Sequence, residues 1–514
     1  MPRRHIRVTG APEAPLRAAL TALRTELDVP EGFPPAVLAE AERAAKAPAV
    51  PPLDATDIPF FTIDPPTSTD LDQAMHLSRR PDGGFRVRYA IADVAAFVVP
   101  GGVLDKETHR RVTTLYFPDA KTPLHPPVLS EDAASLLPDR TRPAALWTID
   151  LDADGRTVAV DVHRALVRSR LKLDYEGVQH QLDAGTAEEP LALLKDIGEA
   201  RERLEVERGG ISLNVPEQEI VEDGDGDGDG GGGRDTDGDR GEGARTYSLT
   251  YRAPLPAEGW NAQISLLTGM AAAELMLTHG TGVLRTLPAA PDDGGPPGRA
   301  KSRLGEVGRL RRTAQALHID WPHHVSYAAL IRSLDPHRPH HAAFLQECTT
   351  LLRGAGYTIF RDGNLPPLTT HAAVAAPYAH CTAPLRRLVD RYASEICLAA
   401  VAEQPTPDWV SAALDTLPKE MREGGRRAGA VERGCVDIVE AALLKDRVGE
   451  IFEGCVVDVE DHKPTVGTVQ LESPAVVARI ESDGDGAPLP LGERLRVRLT
   501  RAELGVAGVR FAPA

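Results

Sequence analysis

Three aspartates, Asp64, Asp70 and Asp72, lie within nine residues of the stretch TIDPPTSTDLDQAMHL (62–77), with Pro65 and Pro66 after the first. Carboxylates a few ångströms apart cannot all stay ionised in a low-dielectric site unless a cation neutralises them. Hard oxygen donors select Mg²⁺ or Mn²⁺, and such an ion keeps waters available for a substrate phosphate. Asp70 and Asp72, at i and i+2, share one face of an extended chain. The bend at Pro65–Pro66 lets Asp64 return to that face. A solvated acidic loop explains the same residues more plainly, so a phosphoryl-transfer site needs a second ingredient: cations for the phosphate.

That ingredient stands far downstream, in YAHCTAPLRRLVDRYASEICLA (378–399). Pro384 predicts a helix start whose first turn carries Arg386 and Arg387, and a helix N-terminus with arginines is a favourable phosphate site. The competing reading pairs Arg386 with Asp390, four residues on, as a surface ion pair. Tyr378 and His380 read equally well as buried, satisfied side chains.

These segments need elements to position them. Apolar residues at helical spacing predict helices over 14–27 and 36–47, followed by a proline-rich stretch. Strands are expected over 85–99 and, around a turn at Asp152–Gly155, over 144–167. Helices resume over 263–280, 304–353, 384–404 and 418–447. From Gly454 onward five short strands suggest a small OB-type barrel, with Phe511 as its one aromatic and hence no stacking platform for bases. The fold class is α+β: a short helical N-terminal segment and linker (1–55), a large mixed α/β catalytic domain (56–450) and a C-terminal OB-like β domain (451–514). The Gly/Asp-rich segment 222–244 is read as a flexible, self-repelling insertion. A calcium-binding repeat would need an apolar residue in each turn, and there is none.

Composition narrows the class. In 514 residues, 42% are apolar but only 4% aromatic, so the core must be mostly Leu, Val, Ile and Ala. Five scattered cysteines without CxxC spacing point to reduced thiols in a cytoplasmic protein. The basic start MPRRHIRVTG lacks the apolar run of a signal peptide, and no run of about 18 apolar residues suggests a membrane span. The net charge is −17. Residues 222–243 account for −7 of it, and RNA can still bind where basic residues line a channel.

The two motifs together resemble the ribonuclease II and ribonuclease R exoribonucleases, defined by the RNB catalytic domain. That family carries an aspartate-rich TID…DxDDA signature and a late YxHxTSPIRR motif, matched here by TIDPPTSTDLDQA and YAHCTAPLRR. Further similar stretches are YAIADVAAFV (89–98), LDKETHRRVTTLYFPD (104–119), residues 126–155 and LLKDRVGEIFEGCVVDV (443–459), in the family's order. The resemblance implies hydrolytic 3′→5′ degradation of single-stranded RNA to nucleoside 5′-monophosphates with two-metal-type catalysis by Mg²⁺, or Mn²⁺ in its place. It implies Asp64, Asp70, Asp72 and Gln73 as the metal-binding positions and Asp70, Asp72 and Arg386 as catalytic. Asp72 matches the aspartate whose loss removes cleavage and spares RNA binding. Tyr116 matches an aromatic that stacks near the 3′ end. Arg386 matches the arginine on the scissile phosphate, with Arg387, Tyr378 and His380 counted beside it as RNA-binding. A monomer acting on RNA, with neither DNA nor membrane as partner, is expected.

The sequence also departs from the family. Gln73 stands where a second adjacent aspartate is usual, and a neutral amide is a weaker ligand. A family glutamate falls on Leu267, and the second stacking aromatic near Leu213. Only about 55 residues precede the catalytic region, too few for two cold-shock domains, so weaker, salt-sensitive RNA binding with modest processivity is expected. Two other readings stay open: a catalytically weakened RNA-binding member, and a phosphatase of small phosphates.

Overall fold

The computed structural model describes residues 14–223, 246–289, 306–352, 354–460 and most of 462–514. Of the Gly/Asp-rich stretch 222–244, all but Glu222 and Asp223 lies outside the described residues. The two predicted leading helices are present as α1 (Ala14–Glu26) and α2 (Pro35–Lys46).

Strands β1 (Leu53–Asp54), β2 (Phe60–Ile63), β3 (Gln73–Arg79) and β4 (Phe85–Ala92) follow, then a two-stranded hairpin, β5 (Leu115–Tyr116) with β6 (Lys121–Thr122). β7 (Thr141–Leu151) and β8 (Thr157–Leu173) are the predicted pair around the Asp152–Gly155 turn, where Gly155 takes a φ of +82° open to glycine at little cost. The large sheet runs β1-β8-β2-β3-β4-β7, and β8 also pairs with β7, so the sheet curls back on itself. β8 spans seventeen residues; its earlier part pairs antiparallel with β7 and its end pairs parallel with β2. The strand expected over 85–99 stops at Ala92. Asp93 ends the alternation, its carboxylate accepting from Arg164 at 2.8 Å, and a 3₁₀ turn (Val94–Ala96) takes over.

Helices cover the sheet: α3 (Val103–Arg111), α4 (Tyr175–Asp183), α5 (Glu189–Arg208) and α6 (Pro256–His279), with the helix Leu388–Val401. Tyr89, Trp147 and Ile149 of the sheet pack with Leu194 and Ile197 of α5, Ile264 and Met276 of α6, and Tyr392 and Ile396. The helical stretch expected over 304–353 is three short helices, Glu306–Ala316, Tyr327–Ser333 and Pro339–Cys348. Pro322 and Pro336 fall in the two gaps, where a ring without N–H cannot continue a helix.

The 28-residue helix Leu417–Leu444 leads into a closed five-stranded barrel of Ile451–Glu460, Lys463–Leu471, Val477–Glu481, Arg510–Pro513 and Arg494–Arg501. The barrel core (Val456, Val469, Ile480, Leu499, Phe511) continues into Leu20 and Leu23 of α1 and Val436 and Val439 of the long helix. The two ends of the chain thus share one core. The α+β class and terminal barrel agree with the sequence reading. All five cysteines are free. Among the described residues no helix is long and apolar enough to cross a membrane.

Candidate active site

Asp64 sits one residue past β2, and its N–H donates to Leu173 O of β8 (3.0 Å), extending the parallel ladder. The prolines then turn the chain. Ser68 N–H bonds Pro65 O (2.9 Å), and the Lys172 ammonium donates to Pro66 O (2.6 Å) and Ser68 O (2.7 Å). Ser135 clamps the far side, donating to Thr69 O (2.7 Å) and accepting from Leu71 N–H (2.9 Å). Leu71 is fully buried. Alternation therefore sends Asp70 and Asp72 the other way, into a cavity of about 1470 Å³ that Asp64, Tyr116, Tyr378 and Arg386 also line.

The three carboxylates have different surroundings. Asp72 is only 4% exposed. Burial pushes it up to about 7, against the pull of Arg386 and the Leu385 N–H, and with the push of Asp70 and Asp390. Burial likewise raises Asp64 to about 6, opposed by Arg386 and Lys172 and aided by Asp70. Asp70 is tied to a side chain cation instead: Lys121 Nζ lies 2.8 Å from its Oδ1 and 3.1 Å from Glu131 Oε1.

The arginine motif arrives as a turn, not a helix. The helix begins only at Leu388, so neither arginine lies in its first turn. Arg386 O accepts from Thr114 N–H (3.1 Å) and the Thr113 hydroxyl (2.8 Å), which pins the turn against the segment leading to β5. The Leu385 N–H donates to Asp72 Oδ1 at 2.7 Å, and Arg386 Nε stands 3.5 Å from Oδ2. Arg386 opens to the cavity. Arg387 does not line it: its guanidinium makes a two-point pair with the fully buried Asp390 (2.9 and 2.7 Å). The Arg386–Asp390 surface pair weighed from the sequence is thus an Arg387–Asp390 pair, three residues apart, because the turn sends successive side chains to opposite sides.

His380 also lies off the cavity lining, bonded through Nδ1 to the Tyr357 hydroxyl (2.7 Å); burial lowers its pKa far enough to keep it neutral. Tyr378 does line the cavity, packed on Gly269 of α6, where a Cβ would come 2.2 Å from its ring. Tyr116 stands on β5 directly opposite Lys121 on β6. The hairpin is braced by α1: Arg24 pairs with Asp119 (2.5 Å) and covers the Phe117 ring (4.1 Å).

Gln73 makes a bridge. Its amide donates to Thr382 O (2.6 Å), and its carbonyl accepts from the Tyr89 hydroxyl (2.6 Å). Leu213 lines the cavity, whereas Leu267 is in the core and its neighbour Leu266 faces the opening. Sequence reasoning missed Glu432. It lines the cavity from the helix Leu417–Leu444, and its signal was a carboxylate at helical spacing with Ala428 and Cys435, which line it too. The lining is not basic: among the described residues it carries ten carboxylates and four arginines. A polyanion entering it therefore requires cations beyond these side chains.

Enzymes with an RNB domain depend on a divalent metal. Among the described residues, no group of three or more His, Cys, Asp and Glu side chains is arranged to hold one. The expected set of Asp64, Asp70, Asp72 and Gln73 does not close around one point, because Lys121 holds Asp70, and Tyr89 and Thr382 hold Gln73. Asp64 and Asp72 line the same cavity, and carboxylate oxygens are the hard donors that Mg²⁺ takes.

Residues 53–403 match the RNB domain and residues 450–514 the RNase II-type exonuclease C-terminal S1 domain. Ribonuclease R of Escherichia coli (strain K12) is 33% identical over 215 residues, 39% of this chain and 26% of that protein. A protein of Arabidopsis thaliana described as inactive exonuclease DIS3L2 is 41% identical over 132 residues, 25% of this chain and 12% of its own. The matches thus span about a quarter or less of these two relatives' lengths. Mycoplasma genitalium RNase R, solved with ribose-methylated single-stranded RNA, superposes with a TM-score of 0.78 at 18% identity, covering 98% of this chain and 79% of that one. With the RNB match running through two thirds of its length, the chain belongs to the RNB domain family.

Proposed function

We propose that this chain is a hydrolytic exoribonuclease that shortens single-stranded RNA from its 3′ end and releases nucleoside 5′-monophosphates. The observation that carries this reading is the junction of Asp72 with Leu385 and Arg386, which joins the family's two signatures in one cavity. In each turnover a water oxygen adds to the terminal phosphorus and the bond to the leaving 3′-oxygen breaks. The products are a nucleoside 5′-monophosphate and a chain one nucleotide shorter. Arg386 offsets charge that grows on the phosphate oxygens in the transition state. Tyr116 offers a ring face to a terminal base. Asp64 and Asp72 would hold the divalent ion, Mg²⁺ or Mn²⁺, which when bound supplies a water of lowered pKa and a Lewis acid for the phosphoryl oxygen. We place the protein in the cytoplasm, acting as a monomer on RNA and not on DNA.

A second reading, a catalytically weakened RNA binder, draws support from the engaged Gln73 amide. Digestion of 5′-labelled single-stranded RNA with Mg²⁺ or Mn²⁺, beside Asp72→Asn, separates the two. A ladder shrinking from the 3′ end that disappears in the variant supports the enzyme. RNA retarded in a gel but intact with both metals would sink it.

A further inference from the structure

We infer that His125 is a positioning residue for the arginine turn: its ring holds the Leu385 carbonyl and thereby fixes where Arg386 stands beside Asp72. His125 is 3% exposed, and its Nδ1 lies 3.1 Å from Leu385 O, 260 residues away in the chain. A carbonyl oxygen only accepts, so the proton of this bond sits on Nδ1. Burial drives the ring's pKa down to about 4, opposed by the Leu385 carbonyl and Asp105 and aided by Arg391, which keeps the imidazole neutral. The backbone beneath the ring is anchored too. The Leu124 N–H donates to the Thr114 hydroxyl (3.1 Å), and the Ser130 hydroxyl donates to His125 O (3.2 Å). Leu385 thus gives its N–H to Asp72 and its carbonyl to His125. The peptide joining Leu385 to Arg386 is held at its other end as well, where the Arg386 N–H donates to Ala383 O at 3.2 Å. Thr113 secures the following carbonyl, Arg386 O, so side chains donate to both carbonyls that flank the Arg386 Cα. A buried side chain that only filled space would need no donor at Nδ1, and leucine would serve.

The inference rests on the hydrolytic reading for its readout in rate, but the place of Arg386 is also read without RNA. His125→Leu removes the donor, His125→Asn returns an N–H near the Nδ1 position, and His125→Gln carries its N–H farther out. On 5′-labelled single-stranded RNA in single turnover, His125→Leu should cleave at least about tenfold more slowly, with RNA affinity within about twofold. His125→Asn should recover most of that rate, and His125→Gln should not. Adding His125→Leu to Arg386→Ala should cost less than about twofold more, because the ring acts through that arginine. With ¹⁵N-labelled arginine, the Arg386 Nε–H resonance, identified by its loss in Arg386→Ala, should shift in His125→Leu and return in His125→Asn. A folded His125→Leu protein with the wild-type rate or an unmoved resonance would overturn the proposal. So would an equal loss of rate with and without Arg386, or His125→Asn no better than His125→Leu. Should His125→Leu not fold by circular dichroism, the other two variants decide: Asn fast and Gln slow supports the proposal, and both alike overturns it. Wild-type protein that leaves RNA intact overturns the hydrolytic reading, and the resonance then decides this one alone.

Discussion

The Leu385 N–H donates to Asp72 Oδ1 over 2.7 Å, and the adjacent Arg386 sets its Nε 3.5 Å from Oδ2 of the same carboxylate. One turn of backbone thus brings a neutral donor and a cation to a side chain that burial alone would drive towards its protonated form. The partners are 313 residues apart in the chain.

Asp72→Asn keeps an oxygen to accept from Leu385 N–H and removes the charge. RNA cleavage should fall by about 10²-fold or more, with RNA still retarded in gels and the melting temperature unchanged or higher. Time courses on labelled RNA together with thermal melts check this.

The pH dependence of stability has a definite sign. Asp64 and Asp72 have folded-state values of about 6 and about 7, both above the ordinary 3.8. Between these values the folded chain holds protons that the unfolded chain has released, so stability falls as pH rises through that window. The stabilisation is fully present below about pH 4 and is lost by about pH 7. Melts in EDTA should show this decline, Asp72→Asn should flatten its upper part, and added Mn²⁺ should restore stability near neutral pH.

The two arginines should separate by readout. Arg386→Ala removes a cavity cation and should cost about 10²-fold in rate with little change in melting temperature. Lysine at the same position should recover part of that rate, as a point charge without the planar fork. Arg387→Ala leaves the buried Asp390 without its guanidinium partner and should destabilise the fold by about 3–5 kcal/mol.

Gln73 and Tyr89 form a testable pair. Gln73→Ala strands the Tyr89 hydroxyl and the Thr382 carbonyl, costing about 1–3 kcal/mol. Tyr89→Phe in the same chain removes one stranded group, so the double variant should lose less than the sum of the single losses. A double-mutant cycle by urea unfolding measures the coupling.

Leu20 of α1 is fully buried between the long helix and the barrel. Leu20→Ala should cost about 2–5 kcal/mol. Arg24→Ala should loosen the Tyr116 hairpin more than the fold. Its expected signature is a change in the length of the final RNA product, read on a gel, that Tyr116→Ala reproduces and Tyr116→Phe does not.

Local chemistry was legible wherever the chain states it locally. Helical spacing identified α1, α2 and the long helix before the barrel, and alternation identified β7, β8 and the terminal strands. The i, i+2 placement of Asp70 and Asp72 was legible because Leu71 between them had to go inward. Helices α3, α4 and α5 were missed. Charged residues interrupt the apolar spacing in α3, and in α5 the buried face itself carries Arg201 and Glu205 between Ile197, Ala200 and Leu204, which blurs the apolar stripe. Pro384 was read as a helix start, but Thr113 and Thr114 capture the backbone of Arg386 and delay the helix to Leu388.

By itself, then, the sequence determined which residues have the types and short-range spacing that metal and phosphate chemistry needs, and its resemblance to a family paired the two distant motifs. What only the tertiary structure decided is the state of each group. Arg386 faces the cavity while Arg387 is spent on Asp390, Lys121 holds Asp70, and Gln73 is a bridge. These outcomes depend on partners brought from elsewhere in the fold, and a carboxylate's charge or an amide's availability is set by those neighbours and by burial, neither of which is written in its own stretch of chain.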